Sequence, residues 1–552
     1  MSIQELLRDA DKNYNPEICL LGGEFNGPGY HTNIPNGTWT HSTRGSINYA
    51  VQLLKSGETE LEKRAFDIIG KVVSLQETNP YSPNYGIWSW LYEEPLDKMS
   101  PPDFNWADFI GAALSHVAIE YHDRLPKELY DKVTAAIGHA AWAIFRRNVQ
   151  PGYTNIAIMG VVVTAVAGEL LGEKRLLEYA GIRLQTFIDY TLDQGGLNEY
   201  NSPTYTIVAL HEVDRIIQLV KTPDIVANAR RLHGIIWKCL AAYYHPGTGQ
   251  LAGPHSRAYS DLLVPTAVKY IEWATGQTQA GETEPEAFEH VGRAQPCPAE
   301  YLERFIKLPA PEIERCDRFI KRKTPEKSFV GTVWMNGEAA LGSINYECFW
   351  TQRRPLLGYW TDSAGQVAVL RLRMLKDGKD FSAGGLHNAQ SGRKILTGIK
   401  MFTDRGDYHI HLDKPTDGTY RFNSLVLRYE LTARDAALTE NENGLYELSA
   451  GNWKAAIIAP PGKFNGCPVV WRSGRVDNTV YVEAVMYEGA AADLTLDESV
   501  CTEMAMVLEL LGRDDLANPE FPVMTRDYDD VNVTWNGLSV KYNPCAEPYE
   551  SV

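Results

Sequence analysis

Three short stretches gather the side-chain types that move protons and grip carboxylates. The first is QGGLNEYNSPTYTIVAL, from Gln194 to Leu210. Its Gly pair and Asn-Ser-Pro mark a loop turning into a helix, with Asn201 or Ser202 available as the N-cap and Pro203 suited to the first helical position. Tyr200, Asn201 and Tyr205 would then gather at one helix mouth. The second is AGPHSRAYSDLL, where His255, Arg257 and Tyr259 crowd a loop beside a Gly-Pro turn. An imidazole is the group most readily poised as acid or base near neutral pH. A guanidinium offers a planar fork to a carboxylate. The third is GYTNIAIMG, which opens a further helix at Asn155. Each residue alone has an ordinary reading as a cap, a packed ring or loop structure. Their clustering carries the chemical one.

Other stretches offer binding surfaces. PNYGIWSWLYEEP holds Tyr85, Trp88, Trp90 and Tyr92, NWADF holds Asn105, Trp106 and Asp108, and THSTRG holds His41 and Arg44. Aromatic faces of this kind serve as sugar platforms or as core. GGLHNAQSGR contributes His387 and Asn388. DYHIHLD places His409 and His411 on one strand face, where with Asp413 they could hold a metal ion, although two His at this spacing are more often only a strand face. No cofactor is expected otherwise.

The elements that must position these groups change character midway. Up to about residue 320, segments such as ELEKRAFDIIGKVVSLQ, KELYDKVTAAIGHAAWAIFRRN and DIVANARRLHGIIWKCLAAYYH carry apolar residues at helical spacing. The loops between them are rich in Asn, Tyr, His and Trp. Serial helix hairpins with such loops suit an (α/α) toroid whose alternate loops line one cleft. From about 325, segments such as VAVLRLRMLK, FNSLVLRYEL and VYVEAVMYEG alternate with period two, as antiparallel strands of a sandwich do. The expected fold class is therefore multidomain α+β, with a toroid over 1–320 and an antiparallel β-sandwich over 325–552. The acidic, Gly- and Pro-bearing stretch EWATGQTQAGETEPEAFEHVGRAQPCPAE between them reads as a linker.

Bulk properties narrow the partners. A chain of 552 residues exceeds one compact core. The formal net charge of −17 disfavours long-range attraction to nucleic acid, and any positive field for an anionic substrate must be local. No apolar run approaches the ~18–20 residues needed to span a membrane, so no membrane partner is expected. Eight scattered cysteines form no CxxC pair, which suggests reduced thiols. The polar start MSIQELLRDADKNYNPE lacks a signal-peptide core, so a cytoplasmic location is expected, with secretion of a trimmed chain as the alternative.

The stretch QGGLNEYNSPTY resembles the loop of toroid-type polysaccharide lyases, the group of heparinase II/III, chondroitin AC lyase and alginate lyase. In these a DGS- or DGG-type turn, a Gln/Glu-aromatic step and a Ser-Pro or Gly-Pro lead to the catalytic tyrosine. Tyr205 takes that tyrosine's place, with Gln194 where the turn's Asp is usual. About fifty residues earlier these lyases carry an Asn, often Asn-His. Asn155 resembles it, with Ile156 in the His position. They often bring a β-domain His or Tyr over the cleft, which makes His387 a candidate.

The resemblance implies β-elimination on a uronate-containing glycan. The uronate carboxylate must be neutralised, which Asn155, Asn201, His255 or Arg257 could do. A base must take the C5 proton, for which Tyr205 or His255 is suited, and an acid must protonate the leaving oxygen, a task for Tyr205. Tyr200 joins the catalytic set. Asn201, Tyr259, Trp88, Trp106, His41, Arg44, Glu199 and His387 form the substrate-binding set. Two alternatives stand beside this reading. One is an inverting glycoside hydrolase using Glu199 and a second carboxylate from Glu93, Glu94, Asp108 or Asp261. The other is a glycan-binding protein without catalysis.

Overall fold

The computed structural model describes residues 3–27, 29–278, 293–410, 412–441, 444–517 and 520–549. The chain forms two compact units. One comprises Met1–Asp193, Tyr205–Trp237 and Val264–Pro298, and the other Gln194–Thr204, Lys238–Leu263 and Ala299–Val552. The boundary expected at 320–325 therefore falls near 298. Two stretches expected in the helical half, 194–204 and 238–263, belong with the sheets.

The first unit is helical. Its elements, some of which run on across the unit boundary, are α1 (Ile3–Asp11), α2 (Thr43–Lys55), α3 (Thr59–Ser74), α4 (Asn105–Glu120), α5 (Lys127–Arg147), α6 (Thr154–Leu171), α7 (Lys174–Gln194), α8 (Tyr205–Leu219), α9 (Pro223–Tyr243) and α10 (Pro265–Ala274). Helices α2, α4, α6 and α8 pack in succession, while α3 and α5 pair behind them. This two-layer order of helix hairpins is that of an (α/α) toroid. Local chemistry ends the hairpin arms. Asn148 closes α5 and Gly172 closes α6, both left-handed. Ser42 caps α2 by accepting the Gly45 amide at 2.9 Å.

Helix α6 is apolar on every side. Its 18 residues are long and apolar enough to cross a membrane, contrary to the expectation that no run is, yet 83% of them are buried inside the protein. Helices hydrophobic all round belong in a core, and α6 lies in the inner layer with α4 and α8 against it. Helix α8 opens at Tyr205, two residues later than the expected start at Pro203. About half of the stretch read as a linker, 279–292, lies outside the described residues.

The second unit is a β-sandwich. One antiparallel sheet runs, in spatial order, through Val470–Val476, Thr479–Thr495, Thr419–Thr432, Val367–Lys376, Leu356–Thr361, Ala339–Ile344, Phe329–Asn336 and Glu312–Ile320. A second runs through Ala437–Asn441, Leu445–Ala450, Trp453–Ile458, Ala505–Gly512, Lys394–Met401, Gly384–Ser391 and Tyr346–Cys348. The sheets meet where Trp334 sets its ring against Trp453 at 5.9 Å and Trp360 donates its indole N–H to Ala450 O at 2.9 Å. A three-stranded meander places Val531, Val533, Trp535 and Tyr542 against Leu396, Ile458 and Val507 of the second sheet. Covered on both faces, Trp453–Ile458 is buried at every residue, which erases the period-two pattern there. Cys501 and Cys545 form a disulfide, so the expectation of reduced thiols does not hold for this pair.

The loop 252–263 lies on the first sheet, backbone against backbone. A Cβ on Gly342 would sit 2.0 Å from Gly253 O, and one on Gly253 would sit 2.6 Å from Leu357 Cβ. His255 and Arg354 form an antiparallel bridge at the same place, with His255 N to Arg354 O at 3.1 Å and Arg354 N to His255 O at 2.9 Å. Only residues without side chains allow that approach. Gly342→Ala is expected to cost about 2 kcal/mol of unfolding free energy. Gly337→Ala, whose Cβ meets nothing within 4 Å, should change stability by less than about 0.5 kcal/mol. Denaturant unfolding of both variants checks this, and equal stabilities would sink it.

Candidate active site

Two of the stretches singled out in the sequence come together in the second unit. Asn201 adopts the left-handed conformation, φ 44°, which Asn tolerates better than most residues. Its Nδ2 donates to Ala252 O at 2.7 Å and Pro254 O at 2.8 Å. Its own carbonyl accepts from His255 Nδ1 at 2.7 Å. Ser202 Oγ donates to Arg257 O at 2.5 Å, and Ser256 Oγ donates to Tyr200 O at 2.8 Å. Gly195, at φ 106°, permits the turn into this loop, because a Cβ there would lie 2.5 Å from Arg318 O.

Charge in these loops is paired locally. Arg257 donates from Nη1 to Glu199 Oε1 at 3.0 Å and from Nε to Gln352 Oε1 at 2.7 Å, and its guanidinium lies 5.2 Å from the centre of the Trp350 ring. Asp261 bridges Arg354 at 2.5 Å and Arg371 at 2.7 Å. Burial alone would raise the Asp261 carboxyl, but Arg371 and Arg354 outweigh burial and hold it below the usual range. Asp261 is thereby unsuited to the role of a hydrolase acid.

Two expected roles change. His255 is 1% exposed, and burial pushes its imidazole down to about 4. It is neutral at pH 7 and brings no charge to a carboxylate. With Nδ1–H donated to Asn201 O, Nε2 carries the lone pair. Tyr200 is buried, stacks on Phe319 at 4.7 Å and donates its hydroxyl to Glu347 Oε2 at 2.7 Å. Burial, and then the Glu347 charge, raise its phenol well above 10. Tyr200 is thus a fixed donor to a buried carboxylate and not a proton-transfer group. Tyr205, the first residue of α8, follows one residue beyond this loop segment. Tyr259 is exposed.

The remaining candidates lie in the first unit or away from these loops. Thr40–Gly45, Ile87–Glu94 and Asn105–Phe109 converge. Tyr92 N donates to His41 O at 2.9 Å, and Trp106 Nε1 donates to Thr43 Oγ1 at 3.0 Å. His41 Nδ1 meets Glu93 Oε1 at 2.6 Å. An aromatic row follows. His31 lies 5.3 Å from Trp90, Trp90 stacks on Trp106 at 4.9 Å, and Trp106 meets Phe109 at 5.5 Å. Arg44 lies 3.9 Å over Phe109. Trp88, by contrast, is fully buried and donates to Val72 O at 2.8 Å, so it packs the core and presents no face to a sugar.

Asn155 lies in the first turn of α6, nearly buried, with its Oδ1 lacking a hydrogen-bond partner among the described residues. Asp108 is buried on α4, and burial pushes its carboxyl up to about 7. His387 is sandwiched between Tyr542 at 5.1 Å and Tyr346 at 4.9 Å, and burial pushes it down to about 3. His409 packs edge-on against Trp350 at 5.2 Å. His411, its supposed partner for a metal, lies outside the described residues, and among those described no group of three or more His, Cys, Asp or Glu is arranged to hold a metal ion.

Sequence reasoning missed Glu347, Gln352, Arg354 and Tyr549, which hold the loops from the sandwich side. Glu347 sits in a three-residue strand and Gln352, Arg354 and Tyr549 in irregular chain between or beyond strands, and no local spacing sets any of them apart.

A family model described as a domain of unknown function, DUF8769, matches residues 17–290. No curated protein matches the chain. Among solved structures, a heparinase III is similar at 11% identity and TM-score 0.44, with 91% of this chain and 82% of that one covered. A second heparinase III, with methylated lysines, is similar at 9% identity and TM-score 0.36 over 91% of this chain and 83% of that one. An endoglucanase CelQ from Clostridium thermocellum, complexed with cellobiose and cellotriose, is similar at 9% identity and TM-score 0.24 over 87% and 72%. The fold assignment rests on the helix layers and sheets themselves.

The buried His255 has a measurable consequence. Its native pKa of about 4 lies below the ordinary 6.5, so between these values the unfolded chain binds a proton that the native state excludes. Native stability is therefore full above about pH 6.5 and falls as pH drops toward 4. One such histidine steepens the slope by at most about 1.4 kcal/mol per pH unit. His255→Asn, whose amide retains a donor toward Asn201 O, should show a shallower loss between pH 6.5 and 4 in urea unfolding. Identical slopes would remove His255 from the account.

Proposed function

We propose that this chain is a glycan-acting enzyme, a polysaccharide or oligosaccharide lyase that cleaves a uronate-containing glycan by β-elimination. The supporting observation is the lacing of 194–204 to 252–263, which sets a neutral imidazole and an arginine of the second loop against the Asn201 loop that leads into Tyr205.

Elimination breaks the C5–H and C4–O bonds and forms a C4–C5 double bond. The C5 proton goes to a base, and the departing C4 oxygen takes a proton from an acid. Tyr205 serves as the acid, and as the base as well when both events occur on one face of the sugar. Its phenol, near 10 when unperturbed, needs neighbouring positive charge to act as a base. His255, held neutral, offers a lone pair as the alternative base. Stabilising the enolate-like intermediate falls to Arg257 and, on the resemblance, the amide of Asn155, while Asn201, whose two amide protons are held by Ala252 O and Pro254 O, keeps the two loops together. Aromatic faces such as Trp90 and Trp106 suit the sugar rings.

A second reading is an inverting hydrolase with Glu199 and another carboxylate. Asp108 favours it, because a carboxyl pushed up to about 7 is suited to general-acid work near neutral pH. The two are separated by incubation with glucuronan, alginate, heparan, chondroitin and rhamnose-glucuronate oligosaccharides. The lyase reading expects a rise in near-ultraviolet absorbance from the unsaturated product, reduced at least about 100-fold in Tyr205→Phe. Saturated reducing ends that vanish in Glu199→Gln, without that absorbance, would select the hydrolase. Full activity in Tyr205→Phe would end the lyase assignment.

A further inference from the structure

Glu347 has no exposed surface. It accepts the Tyr200 hydroxyl on Oε2 at 2.7 Å and the Tyr549 hydroxyl on Oε1 at 2.7 Å, and Arg353 lies 3.4 Å from Oε2. A buried carboxylate needs such donors, and removing one leaves the others incompletely matched. Tyr549 is tightly placed. Its amide donates to Asp404 Oδ1 at 2.7 Å, its ring stacks on Tyr346 at 5.3 Å and the Arg405 guanidinium lies 3.6 Å over it.

The segment Pro544–Tyr549 runs as a strap over the sandwich. Pro544 O accepts from Thr502 N at 2.9 Å, and Ala546 N donates to Val500 O at 2.9 Å. Glu547 O accepts from Thr403 N at 3.1 Å, and the Cys501–Cys545 disulfide joins the strap to the chain beneath. From Tyr200 the contacts continue. Tyr200 O accepts from Ser256, and the next carbonyl, that of Asn201, accepts from His255 Nδ1.

We propose that Tyr549 and Glu347 are positioning residues for the candidate active site: the strap fixes Tyr200 through the shared carboxylate, and Tyr200 in turn fixes the two loops that hold Asn201 and His255. The proposal identifies the loops through the proposed function, but its test needs no substrate. Tyr549→Phe removes one hydroxyl and keeps the stacked ring. It should speed amide hydrogen exchange within 197–204 and 254–258 by about tenfold, the ratio given by loss of one hydrogen bond of ordinary strength.

Tyr542→Phe is the control. It removes an equally buried hydroxyl from the same unit, one that donates to Met504 O at 3.1 Å, and it should leave these segments unchanged. Glu347→Gln, which keeps an acceptor for one tyrosine only, should show the Tyr549→Phe pattern, and it supplies the reading if Tyr549→Phe does not fold. Native exchange in both segments of the folded variant would overturn the proposal. So would uniform acceleration shared with Tyr542→Phe, because that is a purely structural loss. With a turned-over substrate in hand, kcat should fall about tenfold in Tyr549→Phe while KM stays within about twofold. Failure of the lyase reading would be seen in the absorbance assay alone and leaves the exchange result standing.

Discussion

A carboxylate carried wholly out of water must be met by donors, and Glu347 meets that demand with groups from distant parts of the chain. Tyr200 precedes it by 147 residues and Tyr549 follows it by 202, yet both hydroxyls reach its two oxygens at 2.7 Å. Satisfying one buried group thus ties a loop that follows α7, a short sandwich strand and a later strap into one arrangement. The cost of leaving any of these partners out is the desolvation of the others, which makes the arrangement cooperative.

The same economy of charge governs the neighbouring loop. The chain carries a formal charge of −17, yet each charged group described at the loops has an opposite partner: Arg257 with Glu199, and Asp261 with Arg354 and Arg371. His255 is the exception, since burial leaves it neutral. A neutral imidazole with its donor nitrogen committed is a defined hydrogen-bonding group, not a wandering charge. The glycines at 253 and 342 make this possible, because the loop reaches its place only where two backbones can touch.

The helical unit contributes a different kind of surface. His31, Trp90, Trp106 and Phe109 form a row in which each ring touches the next, with Arg44 over the last. Two loops, carrying His31 and Trp90, and the first turns of α4, carrying Trp106 and Phe109, supply these rings. Trp88 lies two residues from Trp90 and is entirely core. Adjacent aromatic residues in one motif therefore serve opposite ends, which spacing alone does not reveal.

From the sequence alone came the helix-then-sheet order, helical segments such as those that form α3, α5 and α9 to within a few residues, and the stretches around Asn201 and His255 as chemically unusual. These follow from local physics: periodicity, turn residues and the clustering of rare side-chain types. Only the tertiary structure decided that 194–204 and 238–263 belong with the sandwich, since that membership depends on long-range hydrogen bonds and on glycine contacts between strands. It alone set the role of Tyr200 as a buried donor and the neutrality of His255. Burial is a property of everything packed around a residue, and no window of neighbouring sequence contains it.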